Sequence, residues 1–181
     1  MTTSAALPEF GFLRHTEGLR THFISRDVER TVDLEEAFGA HAARIFNYFR
    51  KMGVPREGAA DLAQDTFLRA IRSAARYRGD APVEVWLLGI ARNVFREWLR
   101  RRREVPLPEG AAAAAGSEAS NRVEVSSVLG GLDPDHREVL VLRFVLDLSG
   151  EEVARVLGIS HDAVRQRVAR AKAEFRRAWD P

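Results

Sequence analysis

WLLGIARNVFREWLRRRR, residues 86–103, is the stretch from which the fold can be read. Trp86, Ile90, Val94 and Trp98 recur at four-residue steps, with Leu87, Ala91 and Phe95 beside them. That is the apolar stripe of an amphipathic helix. Arg92, Arg96 and Arg100 recur at the same step on another face, with Arg103 three residues further on, and Asn93 lies three and seven residues before Arg96 and Arg100. Six arginines stand against one acid, Glu97, in the last twelve residues. Like charges four apart on a helix repel, and a phosphate backbone would relieve that repulsion. The expectation is a helix that lies against nucleic acid, with the rest of the chain positioning it.

The chain has 181 residues, of which 45% are apolar, enough for one ordinary domain or two small ones with a real core. The net charge is only +2, but it is unevenly spread. Residues 34–103 hold 14 basic and 8 acidic groups, residues 104–126 hold 1 and 4, and residues 127–181 hold 9 of each. A basic block is thus followed by an acidic connector and a neutral block. Of the 28 basic residues 26 are Arg, whose planar fork suits phosphates and guanine edges better than Lys does. Cysteine is absent, which removes disulfides, Cys–zinc sites and thiol catalysis together. No apolar run has the length of a membrane span, and the N-terminus lacks the apolar core of a signal peptide, so a cytoplasmic protein with no membrane insertion is expected.

Working outward, residues 1–33 read as a partly disordered N-terminal extension with one short helix, rich in aromatic residues for a free tail. Leu34, Phe38, Ala42, Ile45 and Phe49 predict a helix over 33–52, capped by Asp33 and Glu36 and stopped by Gly53. A second helix is predicted from Glu57 to Ala75, with Ala60, Ala63, Phe67, Ala70, Ile71 and Ala74 on its core face. Asp61, Gln64, Asp65 and Leu68 share its other face. Gly79 and Pro82 make residues 76–83 a loop that leads into the arginine-rich helix. Residues 104–121 read as a flexible linker, broken by Pro106, Pro108, Gly110 and Gly116. Beyond it, Asp133 or Asp135 caps a helix, Ser149 and Glu152 form a capping box, Gly158-Ile159 makes a tight turn, and Ser160 caps the last helix. Val164, Val168, Ala171 and Phe175 are that helix's inner stripe, with Arg165, Gln166, Ala169 and Arg170 outward. A short helix, a glycine turn and a longer arginine-bearing helix make a helix-turn-helix. The fold class expected is all-α, two small helical domains joined by a flexible linker.

Three stretches, in order, carry a family resemblance: DLAQDTFLRAIR at 61–72, WLLGIARN at 86–93 and REVLVLRFVLDLSGEEVARVLGISHDAVRQRVARA at 137–171. Together they resemble the extracytoplasmic-function (ECF, group 4) sigma factors of the sigma-70 family, over about residues 34–180. The resemblance implies a region 2 helical bundle over 34–103 and a region 4 helix-turn-helix domain over 122–181. It also implies a function: directing core RNA polymerase to promoters and helping to melt the −10 region.

Roles follow residue by residue from the resemblance. Asp61, Gln64, Asp65 and Leu68 match the face that binds the β′ clamp helices of the polymerase; spacing alone would make it a solvated helix face. Tyr77, Arg78 and Gly79 match the loop that captures a flipped base of the single-stranded non-template −10 DNA, where stacking and edge hydrogen bonds are needed. Asn93 suits a base edge, and Arg92, Arg96 and Arg100 suit phosphates. Trp86 and Trp98, on the apolar stripe, read as core instead. Arg165, Gln166 and Arg170 align with −35 contacts, since Arg can bond guanine O6 and N7 and Gln adenine N6 and N7; Arg167 reads as a phosphate contact or an ion-pair partner. Implied partners are the polymerase core (β′ clamp helices and β flap), promoter DNA and an anti-sigma factor. Ala163 stands where many members have Thr, Ala169 where many have His or an aromatic residue, and Asp65 where Glu is commoner; these departures bear on which promoter bases are read.

Two other readings remain at this level. A stand-alone helix-turn-helix regulator that does not use polymerase would share the second block but not need the carboxylate face at 61–65. An enzyme would need a constellation that is missing: the five histidines (15, 22, 41, 136, 161) are scattered, and no phosphate loop, nucleophile elbow or dinucleotide fingerprint occurs. No catalytic residue, metal site or cofactor is expected.

Overall fold

The computed structural model describes residues 34–104 and 120–179. The predicted N-terminal extension and most of the predicted linker lie outside the described residues. Among the described residues all regular structure is helical: α1 (Leu34–Lys51), α2 (Arg56–Ser73), α3 (Val83–Glu104), α4 (Ser120–Gly131), α5 (Pro134–Leu140), α6 (Gly150–Leu157) and α7 (His161–Trp179). A 3₁₀ turn, Ala74–Arg76, prolongs α2, and a π-helical turn, Val141–Val145, prolongs α5. Helices α1, α2 and α3 pack on one another, and α7 packs on α4, α5 and α6. The two groups also meet, α3 against α6 and α1 against the π turn, and the apolar core runs through both.

The helix ends follow from local chemistry. After α1, Gly53 takes φ 89°, a region that costs an L residue with a side chain. The Val54 N–H then reaches the Phe49 carbonyl at 3.0 Å and the Gly53 N–H the Arg50 carbonyl at 3.2 Å, which satisfies two orphan carbonyls in a Schellman turn. At α5 the Asp133 carboxylate accepts the Asp135 N–H at 2.9 Å, with Pro134 at the first helical position. At α6 the capping box is complete: Ser149 Oγ accepts the Glu152 N–H at 3.2 Å, and the Ser149 N–H donates to the Glu152 carboxylate at 2.7 Å. Gly158, at φ 65° and ψ 35°, turns the chain so that the Ile159 N–H reaches the Ala154 carbonyl at 3.1 Å. Ser160 Oγ then accepts the Ala163 N–H at 3.2 Å and starts α7.

The buried faces differ from a single 3.6-residue stripe in two places. On α2 the buried residues are Ala59, Ala63, Thr66, Phe67 and Ala70, whereas Ile71, expected inside, is 47% exposed. The Phe67 ring meets Phe38 of α1 edge-on at 4.7 Å, with Thr66 and Ala70 beside it facing inward. Thr66 can be buried because its hydroxyl donates to the Leu62 carbonyl at 2.8 Å. On α3, Leu87, Leu88, Ala91, Val94 and Phe95 are buried, while Trp86, Ile90 and Trp98 are only partly so. The buried arc is broad because α1 and α2 cover one side and α6 another. Leu88 and Arg92, one turn apart, are both inside that arc.

Candidate nucleic-acid and polymerase interface

Helix α2 presents Asp61 and Gln64 to solvent, with Leu68 37% exposed beside them. Asp65 is half-buried and engaged: the Arg69 guanidinium lies 3.0 Å from its carboxylate and also donates to both Glu97 oxygens on α3 at 2.7 and 2.8 Å. The Arg69 hydrogen bond holds the Glu97 carboxyl below the usual carboxylate range, and the same bonds raise Arg69 further above its own. Arg69 therefore ties the carboxylate face of α2 to the middle of α3. Sequence reading missed Arg69, although its place one turn after Asp65 signalled an i,i+4 pair.

The connection from α2 to α3, residues 77–82, is braced from within. The Tyr77 hydroxyl donates to the Ala81 carbonyl at 2.6 Å, and its ring lies 5.0 Å from that of Trp86. Arg78 is exposed, and Gly79 sits at φ 70°. The loop ends beside the first turn of α3, where Arg44 of α1 pairs with Glu84.

On α3, Asn93, Arg96 and Arg100 are exposed along one line. Further along, the Arg102 guanidinium covers the Trp98 ring at 4.7 Å, and Trp98 in turn stacks on Phe95 at 5.8 Å. The first member of the arginine row departs from expectation. Arg92 is only 9% exposed, and its Nε lies 3.2 Å from the Glu138 carboxylate of α5. The other Glu138 oxygen accepts the Tyr48 hydroxyl of α1 at 2.7 Å. In this arrangement Arg92 faces protein: α6 packs along α3, and Glu138 of α5 reaches across to the guanidinium. Burial pushes the Tyr48 hydroxyl well above its ordinary value, and the Glu138 charge adds to it, so Tyr48 remains a donor. Tyr48 and Glu138 were not singled out from sequence. The signal was a lone acid, Glu138, heading the apolar run Val139–Leu142.

On α7, Arg165, Gln166 and Arg170 are exposed within the first three turns. Arg165 has a loose pair with Asp162 at 3.7 Å. Arg167 turns back to Asp135 of α5 at 3.4 Å, the ion-pair alternative of the two readings. Glu174 holds α7 on the start of α5 by accepting the Asp133 N–H at 3.1 Å and contacting His136, which keeps its carboxyl below the usual range. The π turn leaves Phe144 51% and Val145 42% exposed, with the Lys172 ammonium 4.6 Å from the Phe144 ring centre. Among the described residues no three His, Asp or Glu side chains converge as metal ligands, and no helix is long and apolar enough to cross a membrane.

An α-helical group with an exposed basic line, followed by a glycine-turn helix pair with a second basic helix, defines a two-part nucleic-acid-facing helical protein. Sigma-70 region 2 matches residues 37–105, and sigma-70 region 4 matches residues 122–175. Among curated proteins the chain is 36% identical over 150 residues to the RNA polymerase sigma factor CarQ of Myxococcus xanthus, covering 78% of this chain and 86% of that one. It is 31% identical over 156 residues to the RNA polymerase sigma factor YlaC of Bacillus subtilis, covering 80% and 90%. Among solved structures, CnrH in complex with the cytosolic domain of CnrY superposes with a TM-score of 0.65 at 30% identity, over 81% of this chain and 87% of that chain. The sigma factor RpoE in complex with the anti-sigma factor NepR from Bartonella quintana shares the fold, with a TM-score of 0.69 at 23% identity, over 81% and 96%. The chain belongs to the sigma-70 family of RNA polymerase sigma factors, in its extracytoplasmic-function group. A regulator that does without polymerase is not favoured, because region 2 and region 4 both match on the one chain.

Proposed function

We propose that this sigma factor brings core polymerase to promoters with −35 and −10 elements and stabilises the melted non-template strand at −10, acting through binding and without a chemical step of its own. Residues 34–103 and 122–181 are the two binding domains, joined through residues 104–121. The observation that carries this reading is the paired exposure of Asn93, Arg96 and Arg100 on α3 and of Arg165, Gln166 and Arg170 on α7. Each set combines a base-reading amide with guanidinium groups, the mixture that both positions and specifies. Asp61, Gln64, Asp65 and Leu68 offer an acidic and apolar face to a basic coiled coil such as the β′ clamp helices, and region 4 docks on the β flap. Tyr77, Arg78 and Gly79 form the base-holding loop, with Tyr77 acting as its brace.

An anti-sigma factor is the natural antagonist: the RpoE and CnrH structures that share this fold are complexes with NepR and with CnrY. The cytoplasm is the expected compartment. Run-off transcription with core polymerase on a matching promoter tests the function. Starts should exceed those of core enzyme alone, and charge reversal at Asp61 and Asp65 together should remove them. No start above the core-only level would refute the reading.

A further inference from the structure

Glu97 carries the only negative charge between Asn93 and Arg103. It stands one turn after Asn93 and directly after Arg96, on the helix whose exposed line is proposed to meet DNA. A bare carboxylate there would repel phosphates. It would also draw on the arginines beside it, of which Arg101 already has Nη2 4.0 Å away. Arg69 of α2 answers this charge with its whole guanidinium. Its Nη1 and Nη2 donate to the two Glu97 oxygens at 2.7 and 2.8 Å. Its Nε donates to Asp65 Oδ1 at 3.2 Å, and Nη2 also lies 3.0 Å from Asp65 Oδ2. One edge of the guanidinium thus holds Glu97 and the next edge holds Asp65. A Lys ammonium, a point charge without the planar fork, cannot make both pairs.

Stability alone is a weak reason for this network. The Arg69, Glu97 and Asp65 side chains are 31%, 36% and 40% exposed, and ion pairs so open to water add little to folding. Each edge has a clearer use in binding. Towards α3, Arg69 cancels the Glu97 charge from outside the arginine row. Towards α2, the side-on fork takes one lone pair from each Asp65 oxygen and leaves another on each. The Asp65 carboxylate is thereby fixed with acceptor capacity to spare, beside Asp61, Gln64 and Leu68. A side chain ordered before its partner arrives loses less entropy on binding.

We propose that Arg69 is a positioning residue for both binding faces of region 2: it masks Glu97 within the DNA-facing row of α3 and presents Asp65 to polymerase. This rests on the polymerase- and promoter-binding reading above. The two halves separate in full-length variants. Core-polymerase affinity is read by fluorescence competition without DNA. Promoter affinity is read with holoenzyme formed at saturating sigma factor, across a salt series. Arg69→Ala should weaken core binding about fivefold, the upper end for an exposed charge pair. It should weaken promoter binding by a similar factor and lower the salt slope by about one, because the freed Glu97 takes a neighbouring arginine from phosphate. Adding Glu97→Ala to Arg69→Ala should restore the salt slope and most of the promoter affinity, while core binding stays weak. Glu97→Ala alone should leave promoter affinity undiminished. A pair that only braced α2 on α3 would behave otherwise: the double variant would recover nothing, and Glu97→Ala alone would weaken promoter binding. Either result overturns the proposal. So does full recovery of core binding in the double variant, or an Arg69→Ala chain that loses neither affinity. The Glu97→Ala measurement does not depend on whether the Arg69 variants fold. An unmutated chain that fails to bind core polymerase would instead refute the functional reading.

Discussion

Helices α3 and α7 are both long, amphipathic and arginine-rich, yet only α3 has an arginine that is fully enclosed. On α7, Arg165 and Arg170 point to solvent as the sequence spacing predicts. On α3, Arg96 and Arg100 do the same, but Arg92 is enclosed. The difference lies in what covers each helix. The inner face of α7 is narrow, centred on Val164 and Ala171, and its neighbours α5 and α6 come from nearby in the chain. Helix α3 is covered by α1 and α2 before it and by α6 after it, so its buried arc takes in a residue that periodicity alone leaves outside. A basic helix can thus be read from its own sequence only when its coverage is local.

The strongest way to break this comparison is to remove packing from the inner face of α3. Leu88→Ala, at a fully buried site, should cost about 2–5 kcal/mol, read as a lower midpoint in urea with unchanged slope. An effect below about 1 kcal/mol would mean that α3 is not sandwiched. Next come the outward faces. Asn93→Ala and Arg165→Ala should each lose about 1–3 kcal/mol on the matching promoter and relax selectivity at one position. Arg96→Ala should weaken holoenzyme binding on every sequence and lower the salt slope by about one. Equal losses on all sequences from Arg165→Ala would make it a phosphate contact and blur the distinction. Ser149→Ala, which removes one half of the α6 capping box, should cost about 1 kcal/mol in thermal unfolding, with promoter choice unchanged.

The smallest effect separates the two helices by pH. Glu97 on α3 and Glu174 on α7 both have carboxyls held below their usual range, by Arg69 and by His136 respectively. A depressed carboxyl contributes stability above its unfolded-state value and loses it as pH falls through the folded-state value. Both sites are partly solvated, so each contribution is modest. Urea midpoints between pH 7 and pH 3 should fall less steeply in Glu97→Gln and in Glu174→Gln than in the unmutated chain. A profile that neither substitution changes would show that the ion pairs do not count towards stability.

The parts of the fold that were legible are those set within a few residues. Gly53, Asp133, Ser149 with Glu152, and Gly158 each act on backbone groups at most five positions away, and each element begins or ends where they say. Ile71 and Thr66 were harder. The apolar residue is outside and the hydroxyl inside, because Phe67 meets Phe38 across a helix pair and Thr66 satisfies itself on Leu62. Arg92 was out of reach, since its partner lies 46 residues later across a separate helix group. The roles given to Asp61 and Gln64 never came from spacing, which describes an ordinary wet helix face; they came from likeness to a family, which carries information about partners that one chain does not contain.

The short loop after α2 has its own consequence. Tyr77 closes residues 77–82 into a hoop through the Ala81 carbonyl and leans on Trp86. Fixing a backbone residue takes about 1–2 kcal/mol of entropy, and here that ordering is settled when the protein folds. A base bound at this hoop, as proposed, would meet a loop already shaped and would not have to supply the free energy of ordering it.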